Sequence, residues 1–296
     1  MKELGVEKNF LAVEKKYSSY KNSSIAILSA PFEKTVSYGH GTKNGPRGIL
    51  EASHYVEFYD EEMDRELVFE KGICTLSPLD FKDMSIKKSF DLIYKNVKSL
   101  LEDDKFVVTL GGEHSISIAP VKAHLEKYPD LTVLQFDAHS DLRQSYEGSI
   151  HSHASVMARV AELTKSIVQV GIRAQSIEES WYIKENNIKT FYAREIRLGK
   201  YGQDWIKSVA GEIGKNVYIT FDVDAFDPSF MPSTGTPEPG GLFWDETMNL
   251  LRMIGKEKNI VGFDVVELAP VKGVASSDFN AAKLVYKMLN YSFQNK

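Results

Sequence analysis

The stretch "VLQFDAHSDLR", Val133–Arg143, carries an apolar run directly into three potential metal ligands spaced two apart: Asp137, His139 and Asp141. Val133, Leu134 and Phe136 have the character of a buried strand. Side chains two apart in extended chain point the same way, so the three polar groups can converge where that strand ends. Carboxylates in such a setting are costly unless paired, and their placement calls for a cation.

The same design recurs along the chain. "FVVTLGG", from Phe106, runs into Glu113 and His114. "NVYITFDVD", from Asn216, ends on Asp222 and Asp224, and "NIVGFDVVEL", from Asn259, carries Glu267. "SIAILSA", from Ser24, and "SIVQVGI", from Ser166, are further strand candidates. Apolar runs that do not alternate with polar residues belong to strands covered on both faces, the habit of parallel sheets. Helical patterns fall between them, over Ser85–Glu102, Ser115–Tyr128, Ser152–Leu163, Ile177–Asn187, Leu242–Lys256 and Ser277–Phe293. This alternation predicts one doubly wound α/β domain over residues 1–296, with residues 1–23 as a polar surface arm. In such a sheet the ligand crevice lies outside the carboxyl ends of the strands, where all four polar clusters fall. One cluster could be ordinary helix capping, but four on one edge form a site. The segment from Asp227 to Gly241 contains four prolines and has no regular pattern. A long irregular loop inside a compact domain is usually functional.

Composition removes several classes. A formal net charge of -5 lacks the basic excess of a nucleic-acid binder. No apolar run is long enough to span a bilayer, and "MKELGVEKNF" has no signal-peptide core, so a cytoplasmic location is expected. Cys74 is the only cysteine, which excludes disulfide frameworks and zinc–thiolate sites. "GHGTKNG", Gly39–Gly45, misses the dinucleotide-binding spacing, and no P-loop is present. Four carboxylates with two imidazoles and no thiolate suit a hard ion such as Mn²⁺. They are too many for one ion and about right for two. A bridged pair about 3.5–4 Å apart acidifies a shared water toward neutrality.

The motifs "GGEHS" (Gly111–Ser115), "DAHSD" (Asp137–Asp141), "SHAS" (Ser152–Ser155), "FDVDAFDP" (Phe221–Pro228), "TGTPEPGG" (Thr234–Gly241) and "DVVEL" (Asp264–Leu268) together resemble the ureohydrolases, the arginase and agmatinase family. The resemblance runs from about Ser37 to the C-terminus with the motifs in order. It implies a three-layer α/β/α sandwich around a mostly parallel sheet, two Mn²⁺ per chain and a trimeric or hexameric assembly. It also implies that His114, Asp137, Asp141 and Asp222 hold one ion, and Asp137, His139, Asp222 and Asp224 the other. Asp141 would also orient the bridging hydroxide, Glu267 would pair with the substrate guanidinium, and His153 rather than His151 would shuttle a proton. Imidazole suits that step because it titrates near neutrality. Asp227 is expected to hold the loop rather than a metal, and Glu113 to orient a ligand or cap a helix. Ser233 stands where family members often have glycine.

The segment "LRQSYEGSIHSHAS", Leu142–Ser155, lacks the Ser- and Asn-rich pattern with which arginases grip an α-amino acid, and resembles the agmatinase branch. Agmatine, cleaved to putrescine and urea, is the expected substrate. Glu147 would suit the ammonium tail of agmatine, whereas Arg143 would suit the carboxylate of 4-guanidinobutyrate. Arginase activity is a further alternative within the family. Outside it, a single-zinc deacetylase of related fold would need only an Asp-His-Asp set, and a non-enzymatic scaffold would be expected to have lost a ligand or Glu267.

Overall fold

The structure is a computed structural model and describes residues 2–202 and 204–295. Eight strands form one sheet: β1 (Ile25–Ala30), β2 (Ile73–Thr75), β3 (Phe106–Gly111), β4 (Leu131–Phe136), β5 (Ile167–Ile172), β6 (Lys189–Tyr192), β7 (Asn216–Asp222) and β8 (Asn259–Val266). Their order is β2-β1-β3-β8-β7-β4-β5-β6, and every neighbouring pair is parallel. The chain builds one wing through β3 and the other through β6, then inserts β7 and β8 between them. Reversal of the winding leaves the switch point, and hence the crevice, at the middle of the sheet.

The longer helices are α1 (Gly45–Ser53), α2 (Ile86–Glu102), α3 (Ile118–Lys127), α4 (Val156–Leu163), α5 (Ile177–Glu185), α6 (Trp205–Glu212), α7 (Trp244–Glu257) and α8 (Ala275–Ser292). Helices α2 to α5 cover one face of the sheet, and α1, α6, α7 and α8 the other. Strand β1 explains the unbroken apolar runs. Ile25 and Ile27 enter the core beneath α1 and α8, while Ala26 and Leu28 enter the core beneath α2. The result is the three-layer α/β/α sandwich.

Two strands and two of these helices depart from the sequence reading. Strands β2 and β6 are short edges, and β6 carries an exposed lysine, so neither has the continuous apolar signature of a central strand. Helix α1 opens on "GPRG", which looks like a turn, yet Pro46 sits in the first turn, where a missing N–H costs nothing. Helix α6 was hidden by a polar approach through Asp204, whose carboxylate accepts from the Lys207 N–H and caps it.

The expected surface arm over residues 1–23 is corrected. Asn9, Phe10, Leu11 and Val13 are buried. The Asn9 amide donates to the Ile73 carbonyl and accepts from the Thr75 N–H, and Leu4 N–H donates to the Thr75 carbonyl. The segment covers the open edge of β2, where unpaired backbone groups would otherwise face solvent.

Candidate metal centre and active site

Strands β3, β8, β7 and β4 are consecutive in the sheet, and each delivers polar groups from its carboxyl end. His114 opens a short 3₁₀ turn after β3, and Asp137 and Asp141 follow β4. Asp222 ends β7, Asp224 lies in the turn after it, and Glu267 follows β8. His114, Asp137, Asp141, Asp222, Asp224 and Glu267 are all buried. Asp141 and Glu267 have φ of 54° and 64°, in the left-handed region that non-glycine residues rarely adopt. Such backbone strain concentrates at functional sites, and here it turns both carboxylates inward.

These groups form two nests that share one residue. In the first, His114 Nδ1 lies 3.0 Å from Asp137 Oδ2, 3.2 Å from Asp141 Oδ2 and 3.4 Å from Asp222 Oδ2. That nitrogen is buried, and none of the three oxygens is aligned with it as a hydrogen-bond partner. In the second, His139 Nδ1 lies 3.0 Å from Asp224 Oδ2 and 3.6 Å from Asp137 Oδ1. The sets His114–Asp137–Asp141 and Asp137–His139–Asp224 each have the spacing of a metal site. Asp222 joins the first nest through Oδ2, while its Oδ1 accepts the Asp224 N–H at 2.8 Å.

A supporting layer fixes these side chains. Thr220 Oγ donates to Asp264 Oδ1 at 2.7 Å, so its single proton is committed there. His114 Nε2, 2.8 Å from the same hydroxyl, must then be the protonated ring nitrogen, which leaves Nδ1 free to ligate. Tyr218 donates to the other oxygen of Asp264. Gln135 donates to Asp137 Oδ2 at 2.7 Å, and the Ala138 N–H to Asp224 Oδ1 at 2.9 Å. Thr220, Asp264 and Gln135 escaped the sequence reading. Their signal was a polar residue in the middle of a strand that is otherwise apolar and buried.

The electrostatics of the cluster call for positive charge. Burial pushes Asp141 up to about 6, aided by repulsion from Asp137. Asp222 is driven well above the carboxylate range by burial and by Asp224 and Asp137. Burial likewise raises Glu267, against the hydrogen bond it receives from the His114 N–H. Burial alone would lower His139, but Asp224 and Asp137 outweigh it and push the imidazole up to about 12. So many acids cannot all ionise in one buried cluster without cations beside them. Carboxylate and imidazole donors around a buried, unpaired ring nitrogen fit hard divalent ions.

A cavity of about 260 Å³ opens onto the cluster, lined by His139, Asp141 and His153 and farther out by Arg143, Tyr146, Glu179 and Glu238. His153 Nε2 faces Ser37 Oγ at 3.4 Å, and the His153 N–H donates to Thr35. His151 is absent from the lining and packs edge-on against Phe90. Glu113 stands at the N-cap position of the 3₁₀ turn but makes no side-chain cap hydrogen bond there. Its carboxylate accepts from the Lys34 and Thr35 N–H groups and from the Thr35 and Ser115 hydroxyls, and so clamps the loop that holds His153. Asp227 accepts from Ser229, Gly240 and Gly241, and these bonds hold it down at about 2 despite partial burial. Arg143 lines the cavity, but its Nε lies 3.7 Å from Glu179 and its guanidinium stacks on Tyr146. Glu147 is corrected: it is exposed and outside the lining.

A model of the arginase family matches residues 23–290. The chain belongs to the arginase family. Among its relatives in that family, N(1)-aminopropylagmatine ureohydrolase of Synechocystis is 41% identical, with 96% of this chain and 94% of the relative covered. The agmatinase of Bacillus cereus is 36% identical, covering 93% of this chain and 94% of its own. Among solved structures, the agmatine ureohydrolase of Thermoplasma volcanium superposes with a TM-score of 0.86 at 28% identity, covering 97% of this chain and 94% of that one. This arginase-family chain is therefore a hydrolase of the agmatinase branch, acting on a guanidino compound.

Proposed function

We propose that the protein is a manganese-dependent ureohydrolase that cleaves agmatine to putrescine and urea. The observation that carries this reading is the buried Nδ1 of His114, ringed by three carboxylate oxygens at 3.0–3.4 Å, beside a second nest that shares Asp137. His114, Asp137, Asp141 and Asp222 would hold one Mn²⁺, and Asp137, His139, Asp222 and Asp224 the other. Two such ions supply the acidification that makes water a nucleophile near neutral pH.

The chain's own groups do the rest. Asp141 accepts a hydrogen bond from the attacking water and aims it. Glu267 keeps Oε1 on the His114 N–H at 2.7 Å, which leaves Oε2 for the substrate guanidinium. Gly235 passes close to that oxygen without a side chain and leaves room for the planar group. As the C–O bond forms and the C–N bond breaks, His153 delivers a proton to the departing amine, so that urea and a free amine leave.

The tail of the substrate separates the alternatives. Arg143 is neutralised by Glu179, which weakens its case as an anchor for 4-guanidinobutyrate. A second reading, N(1)-aminopropylagmatine, is favoured by the 41% identity to the ureohydrolase named for that substrate. Urea release from agmatine, N(1)-aminopropylagmatine, arginine and 4-guanidinobutyrate at equal concentration tests the proposal. Either amine-tailed substrate should lead by at least about tenfold, since a site matched to one tail charge leaves a group unpaired with the other. Preference for arginine or 4-guanidinobutyrate would reject the agmatinase reading.

A further inference from the structure

We infer that Glu238 is the anchor for the ammonium tail of the substrate and makes the site selective for guanidino compounds that end in an amine. This rests on the ureohydrolase reading above, to which it adds the recognition of the far end. Three acids line the cavity: Asp141, Glu179 and Glu238. Asp141 belongs to the metal nest. Glu179 is fully engaged, accepting the Leu142 and Ser176 N–H groups and facing Arg143. Glu238 differs from both. Among the described residues its carboxylate receives no hydrogen bond and makes no direct ion pair, Arg173 nearby acting on it only through its charge, and it stands in the wall of the cavity.

Its backbone, by contrast, is held firmly. Arg173 donates to the Glu238 carbonyl through Nε at 3.2 Å and Nη2 at 2.8 Å. The same guanidinium donates to the carbonyls of Asp224 at 2.7 Å and Phe226 at 3.2 Å. Asp227 fixes Gly240 and Gly241 on the far side. One buried-stemmed arginine therefore ties the loop that carries Glu238 to the turn that carries Asp224. The distance from the reacting centre to the free carboxylate is set by that tie. A carboxylate carried on a held backbone in a cleft attracts an ammonium and repels a carboxylate, so a single residue both selects agmatine-like tails and rejects 4-guanidinobutyrate.

The test compares manganese-loaded wild type with Glu238→Gln, using agmatine and butylguanidine, which has the same chain length without the amine. Calorimetric titration of both proteins with butane-1,4-diamine runs alongside. Glu238→Gln should raise KM for agmatine about tenfold with kcat within about twofold, the pattern of lost uniform binding. KM for butylguanidine should stay unchanged, and diamine affinity should fall about tenfold. Equal changes for the two guanidines, or unchanged diamine affinity, would overturn the assignment. If wild type releases no urea from either compound, the ureohydrolase reading fails, and the diamine titration still decides whether Glu238 is the amine anchor.

Discussion

Thr220 shows how much a site depends on a residue that touches neither metal nor substrate. Its hydroxyl, committed to Asp264, sets which nitrogen of His114 carries the proton. Thr220→Val should leave the fold intact and weaken metal binding by about 10–100-fold, the usual effect of losing such a partner, as read by metal titration of the stripped protein. An unchanged affinity would mean that packing alone orients His114. Roles within the cavity separate in the same way. His153→Ala should keep its metal content and lose about 10²–10⁴ in kcat, the usual worth of a general acid. His151→Ala, whose ring lies against Phe90 outside the cavity, should be nearly silent. The opposite ranking in a kcat comparison would reassign the proton shuttle. The clustered histidines and aspartates were legible in the sequence because they stand at or just beyond the ends of apolar strands. Glu147 was misplaced because sequence spacing in a loop carries no direction. Glu238 was invisible as a functional residue because it sits in a proline-rich loop whose path is set by distant partners, Arg173 and Asp227.

Elements were legible in proportion to the length of their unbroken apolar runs. The six central and near-central strands announce themselves by unbroken apolar runs, whereas the edge strands β2 and β6 do not. Helix α3 illustrates a detail that no periodicity could give. His124 is buried there, donates from Nδ1 to the Pro120 carbonyl at 2.7 Å and packs on the Tyr218 ring. It fits only because Gly262 in β8 has no side chain, since a Cβ there would come within 2.3 Å of the ring. Burial lowers this imidazole from 6.5 to about 4. The unfolded chain therefore binds its proton first as pH falls. The contribution is fully present above pH 6.5 and is lost progressively down to about 4, a loss of about 3 kcal/mol. In urea unfolding at a series of pH values, His124→Gln should flatten this part of the dependence. Parallel curves for the two proteins would show that His124 takes no part in it.

At the scale of the whole molecule, the late insertion of β7 and β8 between the two wings brings together the four strand ends that carry the clustered polar groups. That convergence could be read from the sequence as a common strand-end position, but the order of the strands could not. No helix among the described residues is long and apolar enough to cross a membrane. The trimer or hexamer implied by the family resemblance should appear as three or six times the chain mass in light scattering at micromolar concentration. A monomer mass would contradict it. On the proposed function, the two nests sharing Asp137 hold two manganese ions, and that pair serves guanidine hydrolysis. The most direct measurement is metal analysis of chelator-stripped protein during Mn²⁺ readdition, with urea release from agmatine followed on the same samples. Two ions per chain, with activity rising only as the second nest fills, is the predicted result. One tightly held zinc per chain, with no urea and release of acetate from acetyl-lysine peptides, would contradict it.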